Sequence, residues 1–128
     1  MRELGTFLVT YPCWALVHKD SIVRDSSGKP ISYTSPVEFL VLDDDKGGST
    51  LPLFTDGDLA SRFRKESGGM EDMEIVAVTS AKMLVETLEM ARDTADAMSF
   101  DQPKMRARPY AIWPLKYAIQ RIEADELL

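Results

Sequence analysis

The sequence predicts one α+β domain, a mixed arrangement of five or six strands and about three helices. Extended apolar runs dominate the first half of the chain, and strand-helix units follow in the second half. Each amphipathic element needs a partner layer, so this order of elements favours helices packed on a sheet. A length of 128 residues fits a single core, and we assign residues 1–128 to one domain.

The composition favours a folded, soluble protein of the cytoplasm. Hydrophobic residues make up 45% and charged residues 28%, close to the usual values for globular domains. The net charge of −6 argues against general binding to nucleic acid or to an anionic membrane, because both need a basic surface. The first apolar run is too short for a signal peptide or a membrane span. The single cysteine, Cys13, fits a reducing compartment.

The N-terminal third is predicted to hold short strands and a long loop. Apolar residues at 7–9 and 14–17 indicate one or two strands, because β-branched and aromatic residues are dense there and helical periodicity is absent. Residues 19–36 are rich in Asp, Ser, Gly and Pro, which predicts a loop. At most a brief strand at 21–23 interrupts it.

A hairpin is predicted next. The apolar runs 37–42 and 50–54 flank a polar segment, and Gly47-Gly48 places the turn. Pro52 lacks an amide hydrogen, so we expect it where the second strand faces an edge.

The first predicted helix follows this hairpin directly. Thr55 or Asp56 can cap it, and Thr55-x-x-Asp58 has the form of a capping box with Asp in place of Glu. Ser67-Gly68-Gly69 ends it.

The second half of the chain alternates strands and helices. A strand at 73–78 precedes a helix that starts at Ser80. A short strand at 97–101 follows, and Pro114 suits the first position of a last amphipathic helix.

A cysteine-histidine pair is the first catalytic candidate. His18 is the only histidine, and it lies five residues after Cys13. An odd separation puts two side chains on opposite faces of a strand, which disfavours a dyad. We expect a core thiol and a histidine at a strand end.

Aspartates offer two further candidates. Asp43, Asp44 and Asp45 suggest calcium binding, but the following residues lack two ligands that an EF-hand loop needs, so a solvated hairpin tip is expected. Asp56 and Asp58 could act as acid and base, yet both lie at a helix start, where carboxylates are favoured. We therefore predict no catalytic residue, no metal and no cofactor.

A basic segment is the main candidate surface. Residues 102–122 contain five basic residues and no acidic one. Lys104, Arg106 and Arg108 alternate, so an extended segment would point all three to one side, towards an acidic partner, a phosphate or a nucleic-acid backbone. The alternative is internal compensation by the acidic hairpin or by the second helix.

The turn into the first helix resembles a known family. Residues 51–56, Leu-Pro-Leu-Phe-Thr-Asp, followed by Leu59, Ala60 and Phe63, are similar to the motif of the SseB N-terminal domain family. The order of elements over roughly residues 7–122 is also similar. The resemblance implies a compact α+β domain of bacterial proteins, with no established catalytic machinery. Phe54, Thr55 and Asp56 match the motif and either frame a shared surface or serve folding.

We therefore expect a small non-catalytic domain that binds another protein or regulates one. The alternative is an anion-binding or metabolite-binding domain that uses the basic residues 104–108, and an enzyme is the third hypothesis. The sequence leaves the partner, the biological process and the oligomeric state open.

Overall fold

A mixed sheet of six strands forms the centre of the described structure, a computed structural model that describes residues 9–34, 37–43, 48–102 and 112–126. A separate two-stranded hairpin and three α-helices complete this part of the chain. The predicted α+β class is confirmed. The strands of the main sheet are β1 (Cys13–His18), β4 (Leu42–Asp43), β5 (Ser49–Phe54), β6 (Met73–Val78), β7 (Ala97–Phe100) and β8 (Ile112–Pro114). The hairpin consists of β2 (Ile22–Arg24) and β3 (Pro30–Tyr33), and the helices are α1 (Gly57–Ser67), α2 (Ala81–Ala91) and α3 (Leu115–Glu126).

The strand order in the main sheet is β6-β1-β5-β7-β8, with β4 paired to the start of β5. Strand β1 is antiparallel to both of its neighbours, and β5 is parallel to β7. Strands β5, β6 and β7 therefore run in the same direction, so their carboxyl ends lie at one edge of the sheet.

Each face of the sheet has its own core. Leu51 and Leu53 of β5 belong to the larger cluster, which includes Leu84 of α2 and Ile122 of α3. Phe54 belongs to the smaller cluster on α1. Since successive strand residues point to opposite faces, β5 supplies both cores and is buried along most of its length.

The predicted loop at 19–36 is wrong in part, because it contains the β2–β3 hairpin. Asp25 forms its turn: Oδ1 accepts hydrogen bonds from Ser27 N, Ser27 Oγ and Lys29 N at 2.9, 2.6 and 3.0 Å. These bonds lower the pKa of the Asp25 carboxyl. Tyr33 packs edge-on against Phe39, with ring centroids 5.9 Å apart, and thereby anchors the hairpin to the larger core.

The hairpin predicted from 37–42 and 50–54 is shorter than expected. Of the first run only Leu42 pairs with β5, as part of β4. The preceding residues run along β1, where Leu40 N donates to Leu16 O at 2.9 Å and His18 N donates to Glu38 O at 2.8 Å. Residues 38–40 therefore pair with β1 before the chain reaches β4 and β5.

Pro52 lies in a central strand, and the expectation that its strand faces an edge is wrong. Among the described strands, β1 pairs with residues 53–54 of β5 and β4 with residues 49–50, so Pro52 falls between them. Its register partner is Ser99 on β7. A local gap in pairing thus accommodates the missing amide hydrogen.

The starts of α1 and α2 agree with predicted cap residues, and the start of α3 does not agree with its prediction. Asp56 caps α1, and Gly68 follows its last residue with φ of 68°, a left-handed conformation that glycine adopts without strain. Ser80 caps α2, and its Oγ accepts from Met83 N at 3.1 Å. Pro114 is the last residue of β8 rather than the first of α3. None of the described helices is long and apolar enough to cross a membrane.

Candidate functional site

The motif turn at Phe54, Thr55 and Asp56 joins β5 to α1 and serves the fold with all three side chains. Phe54 is fully buried and packs against Phe63 of α1, with ring centroids 5.3 Å apart. The resemblance left two roles open for the motif, a shared surface or folding. The burial of Phe54 against α1 favours folding for this residue.

Thr55 is bound to Asp101, which follows β7. Thr55 N donates to Asp101 Oδ1 at 2.8 Å, and the Thr55 hydroxyl donates to Oδ2 at 2.7 Å. Asp101 has φ of 56°, a left-handed conformation that Asp tolerates better than most residues. The sequence predicts Asp101 only as the end of a strand, because a contact across 46 residues has no local signal.

Asp56 and Asp58 lie at the first turn of α1. The Asp56 side chain accepts from Asp58 N at 2.7 Å, so Asp56 is the N-cap. The capping box expected from Thr55 is therefore wrong, because Thr55 is held by Asp101 instead. Asp56 satisfies a backbone donor that would otherwise lack a partner inside the helix.

Cys13 and His18 stand at opposite ends of β1. Five residues of strand separate their Cα atoms by about 16 Å. Burial raises the pKa of the Cys13 thiol to about 11, so the group is protonated at neutral pH. His18 Nδ1 accepts from Asp20 N at 3.2 Å. The two side chains do not form a dyad.

Of the acidic candidates 43–45 and the basic candidates 104–108, the structure describes only Asp43. Asp43 Oδ1 accepts from Ser49 Oγ at 2.9 Å, whereas Asp44 and Asp45 lie outside the described residues. Within the described ranges, no group of three or more His, Cys, Asp or Glu residues could hold a metal ion. The predicted basic surface, consisting of Lys104, Arg106 and Arg108, also lies outside the described residues and stays a prediction.

A depression between α2 and α3 has a volume of about 400 Å³. Of the described residues that line it, Lys82 is cationic, whereas Glu86 and Glu123 contribute two carboxylates. This lining disfavours an anionic ligand.

The outer edge of β6 is the most distinctive surface of the described structure. Among the described strands, β6 pairs with β1 alone, in six consecutive residue pairs without a bulge. Alternate residues therefore direct N–H and C=O groups away from the sheet. Ile75 and Ala77 are partly exposed along this edge.

The two sheet edges differ in how they are protected. Strand β8, at the other end of the strand order, has three described residues and ends in Pro114, which cannot donate a backbone hydrogen bond. Strand β6 has six residues, Met-Glu-Ile-Val-Ala-Val, without proline or lysine. Proline and lysine are common protective features of natural edge strands, and β6 has neither; its one charged residue is Glu74.

Charge is distributed unevenly along β6. Glu71 and Asp72 precede the strand and are exposed, while the Glu74 carboxylate forms an ion pair with Arg24 of the hairpin. At the other end α2 begins after Ser80, has no acidic residue in its first turn and exposes Lys82. Two carboxylates therefore precede β6, and the positive end of the α2 helix dipole follows it.

Comparison with known proteins adds no relative: no family model matches this chain, and no curated protein matches it. The resemblance to the SseB N-terminal domain therefore rests on the motif turn and on the order of elements.

Proposed function

We propose that this protein is a non-catalytic interaction domain that binds another polypeptide by adding it as a strand to the outer edge of β6. The observation that carries the proposal is the six-residue, bulge-free outer edge of β6, on which no other described strand pairs. Backbone groups on such an edge would supply affinity, and the side chains that flank it would supply specificity.

The contacts of the catalytic candidates support a binding role over chemistry. The Cys13 thiol is fully buried, and its pKa is raised to about 11. Asp56 of the possible acid-base pair caps α1, and its carboxylate accepts a hydrogen bond from the Asp58 amide. A nucleophile needs an accessible, activated group, and a buried neutral thiol is neither.

We further propose that the protein is an SseB-like domain and that it acts in the bacterial cytoplasm. An SseB-like domain of the bacterial cytoplasm agrees with the motif turn and with the single buried cysteine.

Peptide selection tests the proposed edge. Random peptides displayed on phage would be selected against the purified domain and then measured against two variants. Ala77→Glu places a charge at the partly exposed edge of β6, and Ala124→Glu makes the same change at an exposed position of α3. We expect the selected peptides to bind Ala77→Glu at least about tenfold more weakly and Ala124→Glu unchanged. Equal affinity for both variants would place the binding surface elsewhere.

The second candidate function is binding of a small anion or metabolite by Lys104, Arg106 and Arg108. Its support is the uninterrupted basic character of residues 102–122. Sulfate, phosphate and nucleotides would be screened by thermal shift, since a ligand at 100 times its dissociation constant adds about 2.7 kcal/mol to stability. A shift that disappears in Arg106→Ala/Arg108→Ala would favour this function, and no shift with any anion would count against it.

A further inference from the structure

We infer that the strand received by β6 is β6 of a second copy of this chain, paired antiparallel across a twofold axis. This inference rests on the proposed function, because it requires the β6 edge to accept a strand. The arrangement would continue the sheet from one copy into the other.

Twofold pairing restricts the register of the two β6 strands. Residues that pair must both direct their backbone groups outward or both inward, so each residue faces one an even number of positions away. The twofold axis then passes between the two copies of Ile75, or between the two copies of Val76, near the centre of the strand. In these two registers Glu74 faces Val76 or Val78 of the second copy. No glutamate faces a glutamate, so the pairing avoids like charges in opposition.

The ends of β6 are complementary under the same operation. Antiparallel pairing places Asp72 opposite Val78 or Ser80 of the second copy, beside the start of its α2. That helix start carries the positive end of the dipole, no acidic residue in its first turn and the exposed Lys82. The twofold axis repeats this contact, so each negative end meets a positive end.

Local charges favour this partner despite the net charge of −6 on each copy. Repulsion between exposed charges is largely screened beyond about 8 Å at physiological ionic strength. The contacts between Asp72 and the start of α2 act at shorter range. The only charge within β6, Glu74, is already paired with Arg24 in its own chain, so pairing adds no unpaired charge to the interface.

Sedimentation of the full chain measures the predicted dimer. We expect a concentration-dependent dimer for the wild type and for Ala124→Glu, and a dissociation constant at least about tenfold higher for Ala77→Glu. Circular dichroism and thermal unfolding of each variant would establish that it is folded. Amide hydrogen exchange provides a second readout, because amides of β6 should exchange faster when the wild type is diluted below its dissociation constant.

Reversing the charges at positions 72 and 82 tests whether the dimer has the predicted contacts between Asp72 and Lys82. Asp72→Lys and Lys82→Glu should each weaken self-association by about tenfold, because each creates two like-charge contacts across the axis. An equimolar mixture of the two variants should form a heterodimer, since both contacts then join opposite charges.

Three results would overturn the inference: a wild type that stays monomeric at every attainable concentration, a dimer that withstands Ala77→Glu, or a mixture that forms no heterodimer. Failure of the proposed function would appear separately, in the peptide selection. A monomer whose selected peptides are lost in Ala77→Glu would keep the edge as a binding site for another protein and remove only the second copy.

Discussion

Asp101 holds Thr55 with both of its carboxylate oxygens, which accept from the Thr55 amide at 2.8 Å and from the Thr55 hydroxyl at 2.7 Å. The Asp101 amide in turn donates to Leu53 O at 2.8 Å. The carboxyl ends of the parallel strands β5 and β7 are therefore joined by three hydrogen bonds just before α1 begins.

We predict energetic coupling between Thr55 and Asp101. Thr55→Val and Asp101→Asn should each lower the free energy of unfolding by about 1 kcal/mol, because each removes part of a charge-assisted hydrogen-bonding pair. The double variant should lose less than the sum, with a coupling of at least about 0.5 kcal/mol. Urea unfolding of the four proteins measures it. Thr79→Val is the control, since within the described part of the chain the Thr79 hydroxyl donates a single long contact of 3.8 Å, to Met83 Sδ. Strict additivity of the Thr55 and Asp101 effects would contradict the coupling.

Local patterns predicted much of the second half of the chain. The strand at 73–78 and the start of α2 after Ser80 were predicted correctly, because apolar periodicity and helix caps are local signals. The brief strand allowed at 21–23 overlaps β2, but its partner β3 is not predicted because the polar residues there resemble a loop. Burial of Ile22 and partial burial of Tyr33 against distant residues stabilise the hairpin. Tertiary packing outweighed local composition there.

The Asp56 cap gives a second prediction. Asp56→Ala should lower the free energy of unfolding by about 0.5–2 kcal/mol, because the Asp58 amide loses its acceptor at 2.7 Å. Asp58→Ala, two residues further on, should cost less, since no hydrogen bond to that carboxylate is seen among the described residues and its effect through the helix dipole is about 0.3–1 kcal/mol. Chemical denaturation of both variants measures the difference. Equal losses would argue against Asp56 as the cap.

The candidate surface was less predictable than the fold. The composition of β6 is readable from the sequence, but its position at a sheet edge depends on the order β6-β1-β5-β7-β8, which joins strands distant in the chain. Strand order has no local signal comparable to a cap or a period. The motif residues were found, yet their contacts were not, because Asp101 lies 46 residues from Thr55.

Buried Cys13 should make stability depend on alkaline pH. Its pKa rises from 9.0 to about 11 in the folded protein, so the unfolded chain loses the proton first as the pH increases. The thiol's contribution is present below pH 9 and should fall between pH 9 and 11, by up to about 1.4 kcal/mol per pH unit. Cys13→Ala is the reference because it lacks this group but keeps Tyr33, whose pKa is also raised by burial. The stability difference between the two proteins should shrink from pH 8 to pH 10.5, and a constant difference would contradict the prediction.

Two buried serines should respond in opposite ways to the same substitution. Ser99 is fully buried, and its Oγ has no hydrogen-bond partner in the described structure. Ser99→Ala should therefore raise the free energy of unfolding or leave it unchanged, because burying an unpaired hydroxyl is costly. Ser21 is also buried, but its Oγ accepts from Glu38 N at 2.9 Å. Ser21→Ala should cost about 1–3 kcal/mol, since a partly buried amide then loses its acceptor. Urea unfolding of both variants tests the contrast. If Ser99→Ala lowered the free energy of unfolding as much as Ser21→Ala, the Ser99 hydroxyl would be hydrogen-bonded in solution.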